Sequence, residues 1–113
     1  MYEYSARVVS VFDGDSARFD IDLGFYVHMA RVTVRLAGIN APELVKGEPA
    51  GIEARDFLRD FIPDGSYVTL TTIKDKTEKY GRMLGVIVND EGINVNDLMV
   101  SSGHAVTYMA MPR

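Results

Sequence analysis

Three segments in the first 36 residues alternate apolar and polar side chains with a period of two, and after them the period changes. Tyr4, Ala6 and Val8 open the first segment, which runs through Val11 to a turn at Asp13-Gly14. In the second, Ala17, Phe19 and Ile21 alternate with Arg18, Asp20 and Asp22; in the third, Val32, Val34 and Leu36 alternate with Arg31, Thr33 and Arg35. Successive side chains of a strand point to opposite faces, so each segment reads as a half-buried strand. Between the second and third, Asp22-Leu23-Gly24-Phe25 is expected to open a longer connection through Tyr26-Val27-His28-Met29. Asp15 shares the parity of Ala17 and Phe19. A strand extending back to it turns its carboxylate inward, at one end of the sheet.

Ala54, Phe57, Leu58 and Phe61 then fall at i, i+3, i+4 and i+7, with Glu53, Arg55, Asp56, Arg59 and Asp60 on the other face. That spacing predicts an amphipathic helix over about 50 to 62, entered behind Pro49 and stopped by Pro63-Asp64-Gly65. A fourth strand follows from Tyr67 to Ile73 and a fifth from Met83 to Asn89, with a turn at Asp90-Glu91-Gly92. Asn94 is placed to cap a second helix that ends at Gly103. The predicted class is α+β, mainly β: a five-stranded Greek-key barrel of the OB type with two helices, its first helix between strands three and four. Periodicity alone leaves other α+β barrels open.

With 113 residues the chain reads as one domain, 1–113, long enough to bury a core without staples. It has no cysteine, which excludes disulfides, thiolate metal sites and cysteine catalysis. Met1-Tyr2-Glu3-Tyr4 carries neither a basic stretch nor an apolar one, and no apolar run approaches the ~18 residues of a membrane span. The expected location is cytoplasmic, with a secreted mature form left open. A net charge of −4 argues against a module that holds nucleic acid by bulk electrostatics, since such domains are usually basic. It does not argue against a catalyst, which needs only local positive charge. Lys74, Lys76, Lys79 and Arg82 form one local cluster; a solvated loop explains them equally well.

Three short motifs stand out: Asp13-Gly14-Asp15-Ser16, the run from Val34 through Arg35, Gly38-Ile39-Asn40-Ala41 and Pro42-Glu43, and Lys79-Tyr80-Gly81-Arg82. The first alone is common and usually marks a hairpin turn. Together with Gly51-x-Glu53-Ala54, Val95-Asn96 and Gly103-x-Ala105, they make the chain resemble the staphylococcal (micrococcal, thermonuclease-type) nuclease family over about residues 6 to 108. The resemblance selects the OB barrel among the candidate architectures. It also implies calcium-dependent hydrolysis of DNA or RNA phosphodiesters to a 3′-phosphate and a 5′-hydroxyl.

Residue by residue, Arg35 and Arg82 match the family's phosphate-contacting arginines, and Glu43 its carboxylate that activates water. Guanidinium suits an anionic transition state because its planar fork holds two oxygens and keeps its proton. The other reading of each arginine is a surface ion pair, and of Glu43 a solvent-exposed loop acid. Asp15 matches one calcium-binding carboxylate, and the Ala41 carbonyl could serve beside it. The family's second metal carboxylate is an aspartate, and this sequence has Asn40 there. An amide oxygen still coordinates calcium, but with one charge fewer the affinity should be weak. Asp13 either assists or simply forms the turn. Lys79 and Tyr80 match the family's substrate-holding motif, and Tyr108 lies one position from its base-stacking tyrosine. His28 and His104 lack metal-type spacing and read as structural or exposed. The implied partner is DNA or RNA, with no membrane and a monomeric state. The alternative is a catalytically inactive module of the same fold that binds nucleic acid or protein, which Asn40 favours and the retention of both arginines with Glu43 opposes.

Overall fold

The computed structural model describes residues 2–44, 48–77 and 82–108. The elements run in the order β1 (Tyr2–Asp13), β2 (Ser16–Gly24), β3 (Val27–Leu36), β4 (Ile39–Asn40), α1 (Pro49–Phe61), β5 (Tyr67–Thr77), β6 (Met83–Val88), α2 (Val95–Ser101) and β7 (Val106–Thr107). Five strands close into a barrel in the order β1-β2-β3-β6-β5, with β5 returning to β1. The β3–β6 pairing is parallel and the other barrel pairings are antiparallel. This is the mainly β, OB-like barrel with two helices that the periodicity allowed and the family resemblance selected.

Period two sorts the barrel side chains as predicted, apart from a bulge in β1 between Val8 and Ser10 that brings Val11 to the inner face. Val8, Val11, Ala17, Phe19, Ile21, Val34, Leu36, Leu70 and Ile87 are all buried in one cluster. Helix α1 begins with Pro49 in its first turn, where proline's missing N–H is no loss, and buries Ala54 and Leu58 against that cluster. Burying one such leucine contributes ~1.5–3 kcal/mol, so this stripe is what docks the helix. Arg59 ties its outer face to β1 by donating to the Val11 carbonyl at 3.0 Å. At α2, Asn94 caps as expected: its side chain accepts the Asp97 N–H at 3.1 Å.

Two features depart from the sequence reading. The expected long connection after Asp22 is absent. Strands β2 and β3 continue past the barrel as a two-stranded arm, pairing Asp22 with His28 and Gly24 with Val27. Phe25 and Tyr26 form the turn at its tip, at φ 52° and 64°. Positive φ at both central residues is the geometry that matches strand twist in a two-residue hairpin. Glycine and asparagine usually occupy such positions, so two aromatics there hid the turn. The second departure is a small antiparallel sheet of β4 and β7, pairing Ile39 with Thr107 and Asn40 with Val106. Two-residue strands are too short to show a period.

Candidate active site

The β1–β2 turn, the end of β3 and the segment after it meet at one mouth of the barrel. Asp15 leads into β2, which pairs Ser16 with Arg35 on β3. The Asp15 backbone carbonyl accepts the Leu36 N–H at 2.7 Å, which locks the turn to the strand end. Two close approaches hold the surroundings. A Cβ on Gly14 would stand 2.6 Å from the Ala54 Cβ and 2.9 Å from that of Ala41, so only glycine lets α1 seat against this turn. A Cβ on Gly51 would stand 2.5 Å from the Glu43 carbonyl oxygen, so the same helix can brace the loop bearing Glu43. The two glycines appear in the motifs; their packing role becomes visible only with the helix in place.

Asp15 is buried, with 8% of its surface exposed, and each oxygen of its carboxylate accepts a hydrogen bond. Oδ2 accepts the Ala41 N–H at 2.9 Å and lies 3.5 Å from Arg35 Nη2. Oδ1 accepts from Ser16 Oγ at 3.2 Å. Ser16 Oγ in turn accepts from Arg82 Nη1 at 3.3 Å. On the far side, Arg35 Nη2 donates to Asn40 Oδ1 at 3.1 Å and Nη1 lies 3.5 Å from the Leu36 carbonyl. The result is one string, Arg82–Ser16–Asp15–Arg35–Asn40, with a guanidinium on each side of a single carboxylate. Both arginines make further contacts beyond these.

Arg35 is not a surface residue. Alternation puts it on the outer face of β3, yet it is 7% exposed. The reason is tertiary: Tyr108, anchored through its N–H to the Gly38 carbonyl at 2.8 Å, lays its ring over the guanidinium at 5.4 Å. Breaking a buried pair such as Arg35–Asp15 by removing one partner costs ~3–5 kcal/mol, because the other charge is left uncompensated.

The remaining acids frame this string. Burial first, and then the Asp15 carboxylate, raise the Asp13 carboxyl above its ordinary value; Glu43 adds to the rise, while the Leu44 N–H and Arg82 oppose it. Asp13, the last residue of β1, thus lies within electrostatic reach of Asp15, Glu43 and Arg82. Glu43 stands exposed in the segment between β4 and α1. Lys79 and Tyr80 lie outside the described residues. His28 is exposed on the arm, and His104 stacks on Phe57 with centroids 4.4 Å apart. Sequence reading gave no role to Ser16, which bridges Arg82 to Asp15, nor to Asn96. The buried Asn96 donates to the Ala37 and Gly85 carbonyls at 3.0 and 3.1 Å and accepts the Ile87 N–H at 3.0 Å, fastening α2 to the turn that follows β3. Both signals sat inside quoted motifs, but nothing in the spacing identifies a hydrogen-bonding partner.

Among the described residues, no three His, Cys, Asp or Glu side chains converge closely enough to hold a metal by themselves. A cation at this mouth needs carbonyl, amide or water oxygens beside Asp15. The donors present, the Asp15 carboxylate, the Asn40 amide oxygen and the Ala41 carbonyl, suit a hard, oxygen-seeking ion.

A closed OB-like barrel whose mouth strings two arginines about one buried carboxylate is the class that fold and site define. The sequence matches the staphylococcal nuclease homologue family over residues 33–113, and the chain belongs to that family. It is 28% identical over 119 residues to the endonuclease YhcR of Bacillus subtilis (strain 168), covering 97% of this chain and 9% of that protein. Two proteins described as uncharacterized endonucleases are also similar. That of Escherichia coli O157:H7 is 35% identical and that of Escherichia coli 34% identical, each over 102 residues. Each of these matches covers 90% of this chain and 60% of the relative, so the chain spans less than two thirds of the relatives it resembles. No helix among the described residues is long and apolar enough to cross a membrane.

Proposed function

We propose that this chain is a calcium-dependent nuclease that hydrolyses phosphodiester bonds of DNA or RNA. One observation carries the reading: the string from Arg82 to Asn40 fixes two guanidiniums at the barrel mouth with a carboxylate between them. A diester already carries one negative charge, and attack at phosphorus concentrates more on its non-bridging oxygens. Donors held in advance at those oxygens favour the transition state over the ground state.

In this reading Arg35 and Arg82 hold the phosphate, and Glu43, exposed at the rim, takes a proton from the attacking water. Asp15, Asn40 and the Ala41 carbonyl would hold calcium, which would supply positive charge to offset the negative charge of the phosphate. Tyr108 screens Arg35 from water and offers a ring edge to the substrate; Lys79 and Tyr80 carry the substrate-holding role that the family resemblance implies. With one charged ligand and two neutral ones, calcium should bind no tighter than roughly 10⁻⁴–10⁻³ M.

Incubating the purified protein with single- and double-stranded DNA and RNA, with calcium and with chelator, tests the proposal. Calcium-dependent cleavage is expected. Full cleavage in excess chelator would remove calcium from it. The neutral Asn40 favours a second reading, a non-catalytic module of the same fold that binds nucleic acid or protein; binding without any cleavage would select it.

A further inference from the structure

We infer that Asn40 is the positioning residue for Arg35, and that it sets the phosphate-holding guanidinium without help from a cation. The inference rests on the reading of Arg35 as a phosphate-binding group. Arg35 Nη2 is shared between Asn40 Oδ1 at 3.1 Å and Asp15 Oδ2 at 3.5 Å. The first distance is within ordinary hydrogen-bond range and the second lies at its long limit, so the amide sets direction while Asp15 supplies mainly charge. Asn40 and Tyr108 reach Arg35 from one small structure. Asn40 pairs with Val106 across β4 and β7, and Tyr108 follows β7 directly. The guanidinium is thus held at its edge by the amide and on its face by the ring.

Charge explains what an amide does here that a carboxylate would not. Asp15, Arg35 and Asn40 sum to zero. A carboxylate at position 40 would leave the trio at −1 and pin Arg35 between two acids, and bonds to an ionised acceptor are roughly twice as strong as neutral ones. An approaching phosphate would then meet one further acid, beside Asp13, Asp15 and Glu43, until a cation arrived. With Asn40, Arg35 keeps its orientation and faces one acid fewer than it would with an aspartate at that position. The anion can therefore bind before the cation. The amide oxygen has a second lone pair, so the same Oδ1 can later serve calcium.

The test is calorimetric titration of the whole chain with a nucleoside 3′,5′-bisphosphate, in excess chelator and in calcium. It runs beside ¹⁵N spectra of the Arg35 guanidinium, for wild type, Asn40→Ala and Asn40→Asp. Wild type should bind in chelator within about threefold of its affinity in calcium. Asn40→Ala should weaken binding about 10-fold in both conditions, the loss of one hydrogen bond to a charged group, and should free rotation of the Arg35 guanidinium. Asn40→Asp should weaken binding at least about 10-fold in chelator only, with recovery in calcium. A wild type that binds solely with calcium would overturn the inference. So would an Asn40→Ala variant with unchanged affinity and unchanged Arg35 signals. If no variant binds the bisphosphate but Arg35 still responds to Asn40→Ala, the nuclease reading falls and the positioning role stands.

Discussion

Strands β2 and β3 form one hairpin with two dissimilar ends. At the barrel mouth, Ser16 faces Arg35, both are buried, and their side chains belong to a hydrogen-bonded string. At the other end, roughly 25 Å along the ribbon, every residue from Asp22 to Arg31 is exposed. Phe25 is 97% and Tyr26 100% exposed, and both sit in the left-handed region where side chains cost energy. A bulge marks the transition between the ends. The register shifts between Phe19 and Ile21, and Arg31, at φ 56°, gives its N–H to Asp20 Oδ1 at 2.9 Å. The comparison teaches what holds each end together. The mouth is specified by side chains, because buried polar groups must find partners; no buried side-chain nitrogen or oxygen among the described residues lacks one. The arm is held by its backbone ladder and by two carboxylates, Asp22 accepting the Gly24 N–H at 2.8 Å and Asp20 that of Arg31; its apolar side chains are left to water.

If that distinction is right, changes at the mouth should alter turnover and changes in the arm should alter only stability. The largest effect is expected for Glu43→Ala. Turnover should fall ~10²–10⁴-fold, the usual contribution of a general base, with thermal melting unchanged because the side chain is exposed. Single-turnover kinetics checks this, and bisphosphate binding should survive. Arg35→Lys should lower kcat by ~10²–10³-fold, since an ammonium cannot reproduce the fork that reaches Asn40, Asp15 and a phosphate together. Near-normal turnover in that variant would return Arg35 to a structural ion pair.

The arm is probed by Phe25→Asn combined with Tyr26→Gly, which supplies the residues a two-residue turn of this geometry prefers. Relief of two strained positions should stabilise the protein by about 1–2 kcal/mol in denaturant unfolding and leave kcat/KM where it was. A change in turnover would break the comparison, since it would tie the arm to the chemistry.

The smallest effect concerns Asp13. Its carboxyl is raised in the fold by burial and by Asp15, so between 3.8 and that higher value the native state binds more protons than the unfolded chain. Stability should therefore fall as pH rises through that window and then level off. Asp13→Asn should remove this decline, melting higher than wild type at neutral pH in chelator and matching it in acid below the unfolded value. Equal melting profiles across the range would show that Asp13 carries no such strain.

The sequence by itself determined the barrel's interior. A buried face must be apolar at every second position, and the runs through Phe19, Val34 and Leu70 declare that without reference to anything distant. It likewise determined α1, whose stripe of Ala54 and Leu58 obeys the helical period, and the cap at Asn94. Arg35, Arg82, Asp15, Asn40 and Glu43 were legible as a set through the family's motifs. Their arrangement was not. Ser16 meets Arg82 across 66 positions of chain, and Tyr108 covers Arg35 from a segment far removed in sequence. Such contacts have no period, because they arise where closure of the barrel brings separate strand ends together. The hairpin turn at Phe25-Tyr26 escaped detection for a related reason. With no core beneath the arm, no alternation is imposed on its side chains, and backbone pairing leaves little trace in residue type. Local periodicity is written in the chain wherever burial enforces it; the company each polar group keeps was decided only by the tertiary fold.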